Sequence, residues 1–157
     1  MEQTDNKWFE YGLYDAFYRP LASVTILNTN RNLILYGTYK DRRFERRELG
    51  LNSIHSVRVS DNTIKQIATV LKKNNGVFEL NKLESAPDMI VIDGYLHRFY
   101  FSDGDKKVEL TGDNLKYCEG EYQQCPNAAL VIDVLRAIGN VLIPEGIDAD
   151  CFALSIE

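Results

Sequence analysis

Histidine is scarce in this 157-residue sequence, which contains only His55 and His97. Sites in which several imidazoles bind a metal or transfer protons therefore have few possible members. The sequence also lacks a glycine-rich phosphate loop, a GxSxG nucleophile motif, an HExxH motif and a CxxC pair. The sequence therefore contains none of these motifs, whose spacing alone would identify a common hydrolase, a nucleotide-binding protein or a zinc protease.

Cysteine is sparse as well, and its odd number argues against a disulfide framework. Cys118, Cys125 and Cys151 are expected to be free thiols in a reducing compartment, with a Cys118–Cys125 disulfide as the alternative in an oxidising one. A histidine with Cys118 and Cys125 could bind zinc, but their spacing exceeds that of ordinary zinc sites. Glu119 and Glu121 would raise the pKa of Cys118 and make it a poor nucleophile. The sequence therefore predicts no metal, cofactor or catalytic set.

An excess of basic residues is also absent, because the net charge is −5. This charge argues against nonspecific binding of nucleic acid or of an anionic membrane, since both require a basic face. The charge is distributed unevenly along the chain. Residues 1–83 hold 13 Lys and Arg against 9 Asp and Glu, whereas residues 84–157 hold 5 against 14. The second half is therefore the acidic part of the molecule.

The N-terminus lacks a basic start followed by an apolar run, since residues 1–7 are polar and include two acids. We therefore expect no secretory signal, a cytoplasmic location, and residues 1–7 that could be disordered. A chain of this length suffices for one core that buries about two thirds of the unfolded surface. A single domain spanning residues 1–157 is predicted.

The stretch Pro87–Leu115 gives the clearest fold signal. Aromatic residues dominate Tyr95–Phe101, charged and apolar residues alternate in Lys106–Thr111, and the turn-forming Ser102–Asp105 lies between them. This pattern predicts a β-hairpin. The apolar run Met89–Ile92 before it predicts an interior strand.

The register of this hairpin follows from the length of its loop. A loop of two or four residues places Phe99 opposite Val108 and His97 opposite Leu110. A three-residue loop would instead place Phe99 opposite Glu109 and turn the apolar set to the wrong face. We therefore predict a loop with an even number of residues.

Other segments have strand-like patterns. In the first hairpin, Ile26 is expected opposite Ile34 and Val24 opposite Tyr36. The aromatic segment Trp8–Tyr18 is expected to be a strand or an irregular arm packed on the sheet. The C-terminal segment Cys151–Ile156 is expected to be an edge strand. These segments are Trp8–Tyr18, Ala22–Leu27, Leu33–Tyr39, Ile54–Val59, Val77–Leu80 and Cys151–Ile156.

Two helices are predicted. Ser60 or Asp61 can cap the first, which ends at residues 74–76. The second begins at Pro126 and runs to about Gly139; it is apolar on nearly all sides and too short for a membrane span, so it is expected to be buried. Because helices and strands do not alternate, the predicted fold is α+β, a mainly antiparallel sheet with two helices packed on it. The apolar face of the first helix consists of Ile64, Ile67, Ala68 and Leu71.

The turn residues Asp93-Gly94-Tyr95, Asp103-Gly104 and Gly112-Asp113-Asn114, followed by Pro126 before an apolar helix, form a pattern. This pattern resembles one in small uncharacterised bacterial domains, several of which are lipoproteins. It covers less than a third of the chain. The sequence departs from it by lacking a lipoprotein signal and by an extra segment, Leu115–Cys125. The resemblance implies a bacterial protein but no activity.

Three places could carry a function. The long connection 113–124 combines acids with tyrosines, as many protein interfaces do. The arginine cluster could bind an acidic partner, or could protect an edge strand through its charge. His97 is either a core histidine or a general base near Asp93. The partner-binding candidates are Asp113, Tyr117, Glu119, Glu121 and Tyr122, and the arginines are Arg42, Arg43, Arg46 and Arg47.

Two functional hypotheses follow. The first is a non-catalytic protein-interaction domain, such as an inhibitor or immunity-type protein that binds a basic partner surface. The second is a small enzyme or ligand-binding domain with a pocket near His97, Asp93 and Tyr95. Neither hypothesis involves a nucleic acid, a membrane or a cofactor.

Overall fold

The computed structural model describes residues 6–38, 54–85 and 94–155. These residues form six strands and two α-helices, joined by loops and short 3-10 helices. The strands are β1 (Lys7–Tyr14), β2 (Pro20–Leu27), β3 (Leu33–Thr38), β4 (His55–Arg58), β5 (Leu96–Ser102) and β6 (Lys107–Asp113), and the helices are α1 (Asp61–Lys73) and α2 (Pro126–Leu142).

The six strands form one antiparallel sheet in the order β4-β3-β2-β1-β5-β6. The first four strands follow one another as a meander, and the β5–β6 hairpin adds to the other side of β1. The predicted single-domain α+β fold with an antiparallel sheet and two helices is confirmed.

Strand β1 lies in the interior of the sheet, between β2 and β5. Its residues Phe9, Tyr11 and Leu13 are fully buried, as alternate residues on one face of a strand would be. The expectation of a strand in this segment is confirmed. The alternative of an irregular arm on the sheet is wrong.

The first predicted hairpin has the expected register, with Val24 opposite Tyr36 and Ile26 opposite Ile34. Strand β4 pairs with β3 at the sheet edge and is largely exposed. The strand predicted over Ile54–Val59 is thus confirmed in a shorter form.

The β5–β6 hairpin forms, but its predicted register is wrong by two residues. Phe99 lies opposite Leu110 and not Val108, and His97 lies opposite Gly112 and not Leu110. A shift of two preserves the side of the sheet to which each residue points. The predicted separation of apolar from charged side chains therefore survives, and the rejected three-residue loop is indeed absent from this hairpin.

The turn explains the shift. The Asp103 carboxylate accepts hydrogen bonds from the backbone N–H groups of Asp105 (2.9 Å) and Lys106 (2.7 Å), and Asp103 N donates to Lys106 O (3.1 Å). This Asx-type arrangement centres the turn one residue later than expected. Gly104 has a φ of 97°, which favours glycine.

Helix α1 begins and ends as predicted. Thr63 N donates to Ser60 Oγ (3.2 Å) at the N-cap, and Asn74 is the C-cap. Ile67 and Leu71 are buried against the rest of the core.

Helix α2 is three residues longer than predicted, and its cap comes from a distant residue. The Glu84 carboxylate accepts hydrogen bonds from Asn127 N (3.2 Å) and Ala128 N (2.8 Å) at the first turn, where a negative charge is favourable. The helical stretch Pro126–Glu145 has the length and composition of a membrane-spanning helix, so the prediction that this helix is too short for one is wrong. Buried residues such as Leu135 place α2 in the core of this domain.

Two strand predictions are wrong. Asn75–Glu79 and Ala149–Phe152 are 3-10 helices, although strands were expected over Val77–Leu80 and Cys151–Ile156. Val77, Cys151 and Phe152 are still buried, because a short apolar run can be covered from a turn as well as from a strand. The strand predicted over Met89–Ile92 lies outside the described residues.

Candidate interaction surface at one end of the sheet

The turn between β1 and β2 is held together by Asp15. Its carboxylate accepts hydrogen bonds from Phe17 N (2.8 Å), Arg19 N (3.0 Å) and Arg19 Nε (2.7 Å), and Tyr18 N donates to Asp15 O (2.9 Å). Partial burial alone would raise the pKa of Asp15, but these hydrogen bonds and the Arg19 charge together lower it. The turn is therefore fixed by a carboxylate that stays ionised at neutral pH.

This turn exposes two adjacent aromatic side chains. Phe17 is 72% exposed and Tyr18 is 73% exposed. Tyr18 also has a φ of 63°, a left-handed conformation that is uncommon for a bulky residue. The Arg19 guanidinium lies 5.4 Å from the centre of the Phe17 ring. Strained residues that are well fixed by their surroundings concentrate at binding and catalytic sites.

A shallow depression of about 150 Å³ adjoins the turn. It connects the β1–β2 turn with the start of β5 and the end of β6, all at the same end of the sheet. We call Phe17 and the residues lining this depression the sheet-end surface. The lining residues are Asp15, Ala16, Tyr18, Gly94, Tyr95, Leu96, Asp113 and Asn114.

Asn114 fixes the floor of the depression. Its side-chain Oδ1 accepts a hydrogen bond from Tyr95 N (2.8 Å), and its backbone N donates to Tyr95 O (2.9 Å). A Cβ atom on Gly94 would lie only 2.0 Å from Asn114 Oδ1. Glycine is therefore required where this chain approaches Asn114.

Two of the five predicted partner-binding residues belong to this end of the sheet. Asp113 is exposed and lines the depression. Tyr117 follows in the 3-10 helix Leu115–Cys118, is 39% exposed, and donates its backbone N–H to Asn114 O (3.3 Å). The Lys116 ammonium lies 5.2 Å from the centre of the Tyr117 ring.

The other three predicted residues lie in the part of the loop that precedes α2. Arg136 of α2 donates to both Glu119 carboxylate oxygens (2.8 and 3.1 Å). This hydrogen-bonded guanidinium lowers the pKa of Glu119. Tyr122 donates its hydroxyl to Asp133 (3.0 Å), while Glu121 is exposed. Glu119 and Tyr122 thus connect the loop to α2, and Glu121 keeps its carboxylate at the surface.

His97 is buried inside a hydrogen-bonded chain. Tyr11 uses its single hydroxyl proton to donate to Ala153 O (2.7 Å), so Tyr11 Oη accepts the bond from His97 Nδ1 (2.9 Å). Leu115 N donates to His97 Nε2 (3.2 Å). Both ring nitrogens are occupied, which defines a neutral ring with the proton on Nδ1. Burial lowers the pKa of His97 to about 3.

This geometry favours the structural interpretation of His97. The ring is fully buried, and its acceptor nitrogen already receives a backbone N–H, so His97 has no free lone pair with which to take a proton from a substrate. The chain of bonds connects β1, β5, the segment after β6 and the C-terminal segment. Asp93, the proposed partner of a catalytic His97, lies outside the described residues.

The three cysteines are buried, and none of them forms a disulfide bond within the described residues. The Cys118 thiol lies 3.8 Å from the backbone carbonyl oxygen of Glu84, and the Cys125 thiol lies 3.9 Å from that of Ser85. Burial, followed by the hydrogen bond with Cys125, raises the pKa of Cys118 to about 12. In the part of the chain that the structure describes, no group of three potential metal ligands occurs.

Phe17 and Tyr18 were not among the predicted site residues, although they belong to the aromatic segment Trp8–Tyr18. The available signal was Asp15 four residues before Arg19, followed by Pro20, which together predict a turn. Aromatic residues at such a turn are exposed, whereas those of the preceding strand are buried. The candidates Arg42, Arg43, Arg46 and Arg47 lie outside the described residues.

Protein-family models, curated proteins and solved structures were compared with this chain, and none of them matches it. The resemblance to small bacterial domains stays a prediction.

Proposed function

We propose that this domain binds another protein through the sheet-end surface and performs no catalysis. The observation that supports this proposal best is the pair Phe17 and Tyr18, two adjacent aromatic side chains that are each about three-quarters exposed. Exposed aromatics are costly on a free surface and are common at the centres of protein interfaces.

The rigidity of the turn supports the same proposal. Two hydrogen bonds to the Asp15 carboxylate hold the backbone of Phe17 and Arg19, and a third holds the Arg19 guanidinium. A surface that is already ordered loses little conformational entropy on binding, which increases affinity. The depression between Tyr18 and Asp113 offers a place for a protruding side chain of the partner.

The charge of the second half favours a basic partner. Asp113 and Glu121 are exposed acids, and residues 84–157 hold 14 acidic against 5 basic residues. Complementary charge speeds association and selects among partners. An inhibitor or immunity-type protein that covers a basic surface in the cytoplasm would have these properties. Tyr117, Glu119 and Tyr122 would then border the contact, with Glu119 and Tyr122 held by α2.

The alternative, a small enzyme or ligand-binding domain around His97 and Asp93, is less well supported. His97 is buried and has both nitrogens bonded. The depression near Tyr95 does not include His97 among its lining residues. A substrate in that depression would therefore not touch the imidazole.

The proposal is tested by capture of partners from a native extract on the immobilised domain. The variant Phe17→Ser/Tyr18→Asn removes both aromatics, and asparagine tolerates the left-handed backbone of residue 18. Ile54→Ser is the matched control, because Ile54 is 53% exposed but directly precedes the edge strand β4, which β3 separates from β2 and the β1–β2 turn.

We expect one or more proteins that the wild type and the Ile54→Ser variant retain and the double variant loses, with more retained at low salt than at high salt. Equal recovery with all three proteins would reject the sheet-end surface. Recovery of nothing specific by the wild type at low and physiological salt would reject the interaction function itself.

A further inference from the structure

A second concave site lies at the other end of β1, between Trp8 and α1. It is a groove of about 390 Å³, a size typical of sites for small molecules. Trp8 forms one wall, and the apolar face of α1 forms the other. This groove is distinct from the sheet-end surface, whose residues are at the opposite end of β1.

The α1 wall is an apolar stripe that the core covers only in part. Ile67 and Leu71 are buried, whereas Ile64 is half-buried and Ala68 is exposed. In an ordinary amphipathic helix the apolar stripe faces the core completely. Here its outer half faces the Trp8 indole across the groove, so an apolar group placed between them would be covered on both sides.

The rim of the groove carries one cation and one anion. Lys72 is exposed in the last turn of α1, and the structure gives its ammonium no ion pair among the described residues. Asp103 also lines the groove. Its Oδ1 accepts the hydrogen bonds from Asp105 N and Lys106 N, which leaves Oδ2 for another donor.

This combination determines the chemistry of the ligand. An apolar wall alone would accept any hydrophobic group, and a single rim charge would select an ion of opposite sign. A cation and an anion at the mouth of one apolar groove are instead complementary to a zwitterion with an apolar side chain. We propose that the groove binds a free hydrophobic α-amino acid, with its carboxylate toward Lys72, its ammonium toward Asp103 and its side chain between Trp8 and α1.

Trp8 makes the proposal directly measurable, because it is the only tryptophan in the chain. Titration with L-leucine should change its fluorescence to saturation, with a dissociation constant on the order of 1 mM, as expected for a ligand of about nine non-hydrogen atoms. L-alanine should bind much more weakly, since it lacks the apolar side chain. Leucine amide and N-acetyl-leucine each lack one charge and should bind about three- to fivefold more weakly.

Matched variants test the two rim charges. Lys72→Gln should weaken leucine binding about three- to fivefold, whereas Lys73→Gln, in the same helical turn but outside the groove, should not. Asp103→Asn keeps an oxygen for the turn but removes the charge, and should weaken binding to a similar degree. Asp105→Asn is its control in the same turn. Circular dichroism establishes that each variant is folded.

Equilibrium dialysis with radiolabelled leucine measures binding independently of the fluorescence change. The proposal is overturned if dialysis detects no saturable binding at leucine concentrations of about 20 mM, well above the expected constant. It is also overturned if alanine binds as well as leucine, or if Lys72→Gln behaves like Lys73→Gln. None of these outcomes bears on the sheet-end surface, since no groove residue lies there.

Discussion

Tyr18 has a strained backbone and an exposed side chain, and neither property contributes much to the stability of the fold. A left-handed backbone costs an L-residue other than glycine roughly 1–2 kcal/mol, and Tyr18 has a φ of 63°. Its side chain is 73% exposed, so little burial offsets the cost. A residue whose strain is not offset by packing is a reasonable candidate for a role outside the fold.

Replacing Tyr18 by glycine should separate these two roles. We expect Tyr18→Gly to leave the free energy of unfolding unchanged or to raise it by up to about 1 kcal/mol, because glycine adopts this φ without strain and only its greater unfolded-state entropy opposes the gain. Partner capture should fall. Urea denaturation measures the first effect, and a loss of more than about 1 kcal/mol would show that Tyr18 stabilises the fold after all.

His97 shows how burial makes a titratable residue structural. The neutral ring accepts from Leu115 N and donates to Tyr11 Oη, so protonation of Nε2 would break a bond and leave a charge in the core. The folded pKa of about 3 lies well below the ordinary value of 6.5. The unfolded chain therefore binds a proton more readily than the folded chain does between these two values.

This difference predicts acid sensitivity. The contribution of His97 is complete above about pH 6.5 and is lost as the pH falls towards 3, at up to about 1.4 kcal/mol for each pH unit. His97→Gln should be less stable at pH 7 but should lose less stability between pH 6.5 and pH 4. Urea denaturation at several pH values tests this, and parallel curves for the two proteins would contradict it.

Among the helices and strands, local sequence signals were sufficient for a correct prediction where the stabilising contact is itself local. The cap at Ser60 and the apolar spacing of α1 predicted that helix correctly. The cap of α2 is Glu84, more than forty residues away along the chain, and no local pattern could reveal it. The interior position of β1 in the sheet could not be predicted from local patterns either, because it depends on pairing with the distant strand β5.

The hairpin register was mispredicted for a related reason. Alternation has a period of two, so it distinguishes odd from even shifts but not one even shift from another. The hydrogen bonds that the Asp103 carboxylate accepts in the turn place Leu110, and not Val108, opposite Phe99. The sheet-end surface was missed because its parts, at residues 15–18, 94–96 and 113–114, come together only in the fold.

The turn itself gives a prediction for Gly104. Its φ of 97° is unfavourable for a β-branched side chain, so Gly104→Val should destabilise the domain by about 1–2 kcal/mol. Gly104→Asn should cost less, because asparagine tolerates positive φ better. Thermal unfolding of both variants tests which substitution destabilises the domain more. An unchanged melting temperature for Gly104→Val would contradict the assigned turn.

At the scale of the whole molecule, the charge asymmetry should act mainly on the rate of association. Exposed acids contribute little to folding stability, whereas a field of one sign can steer a basic partner at low salt. Glu119 is unsuitable for testing this effect, because its carboxylate is bonded to Arg136. Asp113 and Glu121 are exposed and can be changed with little effect on the fold.

Reversing both charges should slow binding without unfolding the domain. We expect Asp113→Lys/Glu121→Lys to lower the association rate with a captured partner about tenfold at low salt and to flatten its dependence on salt. The melting temperature should change little. Stopped-flow kinetics at several salt concentrations measures the rate, and an association rate that responds to neither the reversal nor salt would rule out steering by these acids.

In the proposed complex a partner covers the aromatic end of the sheet, and oxidative footprinting of the captured complex can detect this coverage residue by residue. Hydroxyl radicals modify exposed aromatic side chains, so the free domain should react at Phe17, Tyr18 and Tyr122, which are 72%, 73% and 56% exposed. In the complex we expect Phe17 and Tyr18 to be protected several-fold more than Tyr122, whose ring lies beside α2. Unchanged reactivity of Phe17 and Tyr18 in a fully bound sample would contradict the proposed coverage.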